Sequence, residues 1–83
     1  MKTVYIVALK NNGCIGIEEN KERLNKLDED ETYLGSINCC HDLINLLLAN
    51  NYSEDYIYNI IYFYSDRLLS FGYNDFPNDV KQD

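Results

Sequence analysis

The chain has 83 residues, 46% of them apolar, with eight tyrosines and a formal net charge of −7. A chain of this length makes one domain that buries only about 60–65% of its unfolded surface, and its apolar content argues against intrinsic disorder. The acidic surplus disfavours direct nucleic-acid binding, because a phosphate backbone has to be met by clustered Lys and Arg.

The segment Thr3 to Lys10 predicts a strand. Val4, Ile6 and Ala8 fall on one face and Tyr5, Val7 and Leu9 on the other, so both faces are apolar and the strand belongs in the middle of a sheet. Asn11-Asn12-Gly13 is a turn signal, since Asn and Gly accept positive φ cheaply. Cys14 to Glu18 reads as the returning strand, with Ile15 and Ile17 on one face. Gly16 on the opposite face leaves room for a close neighbour or a bulge.

Residues 19–35 allow two readings. The favoured one is a short helix over Lys21 to Leu27, capped by Asn20, with Leu24 and Leu27 facing inward. Asp28, Glu29, Asp30 and Glu31 then form an exposed acidic loop. The alternative is a long hairpin leading to a third strand at Glu31–Leu34.

A helix is expected from Ser36 or Asn38 to about Asn50, with Ile37, Cys40, Ile44, Leu47 and Leu48 inward and Leu43 and Leu46 widening the stripe. Ser53 caps the last helix, which has Glu54 and Asp55 in its first turn and Gly72 at its left-handed end. In that helix Ile57, Ile60, Ile61, Tyr64, Leu68 and Phe71 make a sufficient core stripe. Tyr58, Tyr62 and Leu69 lie largely off it, as surplus apolar surface. The short connection at Asn50-Asn51-Tyr52 makes the two helices an antiparallel hairpin.

The expected fold is therefore α+β. An N-terminal β-hairpin, with a third strand as the open alternative, packs against a C-terminal antiparallel helical hairpin. Residues 1–76 form a single compact domain and residues 77–83 a disordered acidic tail.

Cys39-Cys40-His41 puts consecutive side chains about 100° apart on a helix, so they do not converge on one metal ion. His41 is the only histidine, and no acid is arranged to orient it for nucleophilic catalysis. Asp28-Glu29-Asp30-Glu31-Thr32 opens like a calcium loop, but Tyr33 and Cys39 stand where the required glycine and glutamate belong. Val7-Ala8-Leu9-Lys10-Asn11-Asn12-Gly13-Cys14-Ile15-Gly16 resembles the first strand and following loop of dihydrofolate reductases. Nothing after Asn20 continues that likeness, and no shared function follows from it.

Three cysteines without a framework spacing fit a reducing cytoplasm. No segment has the length of apolar sequence that a membrane span needs. The short run Val4–Leu9 lacks the small residues of a signal-cleavage site.

The expectation is a non-enzymatic acidic protein-binding module with no metal, no cofactor and no membrane contact. Its most specific form is an inhibitor that occupies the basic, nucleic-acid-binding surface of a larger protein, as small acidic phage and mobile-element proteins do against bacterial defence systems. That form rests on size and charge. The candidate binding residues are Asp28, Glu29, Asp30 and Glu31, together with Glu54, Asp55 and Asp66 beside Tyr58 and Tyr62. The alternative is a homodimer or larger homo-oligomer, a structural or regulatory subunit with the tyrosine-rich last helix as its interface. In a further reading, Tyr56, Tyr58, Tyr62 and Tyr64 all pack within the domain with their hydroxyls at the surface.

Overall fold

The computed structural model describes residues 2–77. The fold is α+β, with N-terminal strands followed by C-terminal helices. The chain divides into two compact units: Thr3–Ile37, and a helical unit of residues from Asn38 onward with the N-terminal Lys2.

The first unit is a three-stranded antiparallel sheet in the order β2-β1-β3, with β1 at Val4–Leu9, β2 at Ile15–Glu18 and β3 at Glu31–Ile37. The doubly apolar strand β1 is central, as its pattern requires. Val4 pairs with Ile37, Ile6 with Ile17 and Ala8 with Ile15. These residues share a face, and Val4, Ile6, Ile15 and Ile37 on it are buried. Burying each such side chain is worth about 1.5–3 kcal/mol. The β1–β2 loop closes through Leu9 N–H to the Cys14 carbonyl at 2.9 Å and Gly13 N–H to the Leu9 carbonyl at 2.9 Å. Gly13 takes φ 71, which is the reason for glycine there.

Residues 19–37 combine both readings of the sequence. Lys21–Lys26 is a 3-10 helix whose cap, Asn20, accepts from Glu22 N–H at 2.9 Å. The third strand also exists and runs to Ile37 rather than stopping at Leu34. Ser36 and Ile37 are thus strand residues, not the start of a helix. A bulge explains why alternation hides this strand: Ile6 faces Gly35 and Val7 faces Tyr33, which leaves Leu34 as the extra residue.

In the helical unit, α1 spans Cys40–Ala49, α2 Glu54–Phe63 and α3 Ser65–Ser70. Its buried side chains are Cys40, Leu43, Leu47, Ile57, Ile61, Leu68, Phe71 and Tyr73. Leu48, expected inward, is 44% exposed, and Ile44 is half-buried. The stripe of α1 is centred one residue away from the expected one, on Leu43 and Leu47.

Both α1 and α3 end the same way. Tyr52 N–H reaches the Leu47 carbonyl and Asn51 N–H the Leu48 carbonyl, with Asn51 at φ 70. Tyr73 N–H reaches the Leu68 carbonyl and Gly72 N–H the Leu69 carbonyl, with Gly72 at φ 93. These paired bonds around a left-handed residue satisfy carbonyls that a helix end leaves open.

The single helix expected over 53–72 is two. The backbone departs from helical values at Tyr64, φ −98 and ψ 13. The run Tyr62-Phe63-Tyr64 contains no Gly or Pro to announce the break. The chain after Gly72 is built in tightly. Tyr73 is fully buried, its hydroxyl donates to the Lys2 carbonyl, and Lys2 N–H donates to the Phe71 carbonyl at 3.1 Å. Apart from Pro77, the tail expected over 77–83 lies outside the described residues.

Candidate functional site

Helix α2 sorts its side chains by spacing. Ser53 accepts from Tyr56 N–H at 3.2 Å and starts the helix, and Glu54 and Asp55 occupy its first turn. Ile57 and Ile61 turn inward and are buried. Asp55, Tyr58 and Tyr62 recur at three- and four-residue intervals along another stripe. Tyr62 on that stripe is 57% exposed, whereas Tyr58 is half-buried. Tyr56 is half-buried and stacks on Tyr52, centroids 5.3 Å apart. Tyr64 is half-buried and meets Phe63 edge-on at 5.0 Å. The tyrosines thus do not act as one set: Tyr62 is the open one.

The most exposed of the large apolar side chains is one the sequence alone did not single out. Phe63 is 76% exposed, and Leu69 on α3 is 55% exposed. The signal for Phe63 was available. It follows Tyr62, about 100° round the helix from it, and lies outside the Ile57–Ile61 stripe. Asp66 is exposed in the first turn of α3. From Asn38 to Pro77 the sequence has five acids and one base, Arg67. The Arg67 guanidinium sits 5.8 Å from the Tyr64 ring centre and 5.9 Å from that of Phe71, within cation–π range of both. Exposed Tyr62, Phe63 and Leu69 therefore lie in a stretch of sequence rich in acids, whose one arginine faces aromatic rings.

The other predicted acids lie in the sheet unit. Asp28 and Glu29 are exposed, while Asp30 and Glu31 are half-buried. Glu31 belongs to β3 rather than to a loop. Its Oε1 accepts from Asp28 N–H at 2.9 Å, and its own N–H donates to the Asp28 carbonyl at 3.0 Å. Asp30 accepts from the Asn11 side chain at 2.9 Å, and its carbonyl accepts from Lys10 N–H at 2.7 Å. The acidic segment is thus a hydrogen-bonded turn in which the Asp30 and Glu31 carboxylates are held in place.

The N-terminus of α1 holds a second group of polar residues. Cys39 occupies the cap position but caps nothing with its side chain. Asp75 does so instead, accepting from Cys40 N–H at 2.8 Å and His41 N–H at 3.0 Å. Its Oδ2 also lies 2.8 Å from His41 Nδ1. An acid therefore does orient His41, contrary to the sequence reading, and it comes from 34 residues downstream, beyond any local spacing rule. Burial pushes the Asp75 pKa upward. The hydrogen bonds from His41 and Cys40 outweigh it and hold the carboxyl well below the usual carboxylate range.

The same site acts oppositely on its thiols. Burial, with the Asp75 charge adding to it, pushes Cys40 up to about 12, and burial likewise raises Cys39. A nucleophilic cysteine needs its pKa lowered, so His41 and Asp75 form a structural cap beside unactivated thiols. All three cysteines are free. Among the described residues, no group of three or more His, Cys, Asp or Glu side chains is placed to hold a metal ion. No helix among them is long and apolar enough to cross a membrane.

Comparison with family models, with curated proteins and with solved structures yields no match.

Proposed function

We propose that this chain is a non-enzymatic, acidic protein-binding module that engages a basic protein through Tyr62, Phe63 and Leu69. The observation that carries the reading is the exposure of Phe63 next to Tyr62 in a region with five acids and one base. Aromatic side chains bury much area at little entropic cost, which is why they anchor protein interfaces. Glu54, Asp55 and Asp66 supply the charge that steers a basic partner. Tyr58, being half-buried, supports Tyr62 more than it contacts the partner. Asp28, Glu29, Asp30 and Glu31 supply further negative potential. In its most specific form, the partner surface is one that otherwise meets nucleic acid, and the chain acts as its inhibitor. A cytoplasmic location fits three unpaired thiols.

The test is binding kinetics against a partner recovered from the native host, with nucleic acid as competitor. Phe63→Ser and Tyr62→Ala each speed dissociation, at a cost of about 1–3 kcal/mol, without loss of helicity. Neutralising Asp28, Glu29 and Asp30 slows association, and added salt does the same. Affinity indifferent to salt would refute the electrostatic part. A complex made only of copies of this chain would favour the homo-oligomer.

A further inference from the structure

The sheet unit has a depression of about 100 Å³ on the face opposite its buried isoleucines. Val7, Leu9 and Gly16 floor it, Leu27 walls it, and Glu18 and Glu31 edge it. The register builds this directly, since Val7 pairs with Gly16 and Leu9 with Glu31. Gly16 makes the space: a Cβ there would approach only the Val7 carbonyl oxygen, at 3.9 Å.

Both carboxylates are anchored through one oxygen each. Glu18 Oε2 accepts from Asn20 N–H at 3.0 Å, and Glu31 Oε1 accepts from Asp28 N–H at 2.9 Å. Among the described residues, Glu18 Oε1 has only Arg23 Nε nearby, at 3.7 Å, and Arg23 is itself largely exposed. That separation is too long for a hydrogen bond, and an exposed pair of this kind is weak. Glu31 Oε2 has no hydrogen-bond partner among the described residues. Two carboxylate oxygens therefore border an apolar floor, and a guanidinium of the chain already loiters at one of them.

We propose that this depression holds a lysine side chain of a basic partner. Its methylene stem lies along Val7, Leu9 and Leu27, and its ammonium meets the Glu18 carboxylate, while Glu31, four β1 positions away beside Leu9, adds negative potential at the other end of the depression. A lysine combines those two chemistries, an apolar stem and a compact three-donor head. The inference rests on the reading that the partner is basic.

The test is an NMR titration of the full chain with the peptide acetyl-Gly-Lys-Gly-Lys-Gly-amide. The expected result is amide shifts concentrated at Val7, Leu9, Gly16 and Leu27. Replacing lysine by diaminopropionate keeps the charge and shortens the stem, so binding weakens by up to about fourfold per methylene withdrawn from the floor. Gly16→Val fills the space at unchanged charge and removes the shifts. Arg23→Ala tightens binding more than Lys21→Ala, although both remove one positive charge. The proposal is overturned if the short-stem peptide binds equally well, if shifts fall elsewhere, or if none appear. The stem comparison uses the unaltered protein, so it decides the matter even if Gly16→Val fails to fold. A null result removes the lysine site and leaves Tyr62 and Phe63 to the test of their own variants.

Discussion

Asp75→Ala removes the cap of α1 from outside the helix. It deletes acceptors for Cys40 N–H at 2.8 Å and His41 N–H at 3.0 Å, and it separates His41 from its carboxylate. Losing an N-cap costs about 0.5–2 kcal/mol, and a hydrogen bond to a charged group is worth about 1.5–3 kcal/mol. Asn38 N–H keeps its bond to Asp42 and water reaches the exposed His41, so the sum is smaller than these terms added. A loss of about 2 kcal/mol is expected, which lowers Tm by about 8–16 °C in a domain of this size.

Asp75→Asn keeps the shape and one acceptor and loses the charge, so it falls between. The pH dependence follows from the lowered pKa of Asp75. Its folded value lies below the ordinary 3.8, so the folded state binds fewer protons. The contribution is fully present above about pH 4 and is lost as pH falls through the folded value. Thermal unfolding by circular dichroism at neutral and strongly acidic pH reads this out. Equal Tm for parent and Asp75→Asn at neutral pH would refute the cap. So would a difference undiminished by strong acid.

Other variants probe the remaining contacts. Ile61 is fully buried, so Ile61→Asp costs about 3–5 kcal/mol and leaves the chain largely unfolded, as urea titration would reveal. Gly72 sits at φ 93, so Gly72→Ala strains the end of α3 by about 1–2 kcal/mol, whereas Gly72→Asn costs less; parallel melting curves make the comparison. Thiol labelling followed by mass spectrometry should find exposed Cys14 modified first. Buried Cys40, with its pKa pushed up to about 12, should react only on unfolding. Simultaneous modification of Cys14 and Cys40 in the native protein would contradict the burial of Cys40.

Punctuation was the most legible part of the sequence. Asn11-Asn12-Gly13, Ser53 and Gly72 each do the local job their chemistry suggests, because a turn or cap is decided by the residue itself. The central position of β1 was legible for a similar reason, since both faces of Val4–Leu9 are apolar. The boundary between β3 and α1 was not. The bulge at Leu34 and Gly35 breaks the alternation, and the cap of α1 is Asp75, remote in sequence. Tyr73 was missed because one aromatic in a polar terminal stretch has no periodicity to betray its burial. In the candidate site, the exposure of Tyr62 and Leu69 followed from the surplus of apolar residues on the last helix. Half-buried Tyr58 and highly exposed Phe63 departed from that expectation, and the break at Tyr64 has no local sequence signal.

The central claim is that Phe63 and its neighbours contact a different, basic protein. Its most direct test places a photo-crosslinking phenylalanine analogue at position 63 in the native host, with the same analogue at exposed Asn45 on α1 as control. The account predicts one dominant adduct from position 63, with a basic protein, competed away by unmodified chain and weakened by salt. Adducts only with other copies of this chain, or the same adducts from position 45, would contradict it.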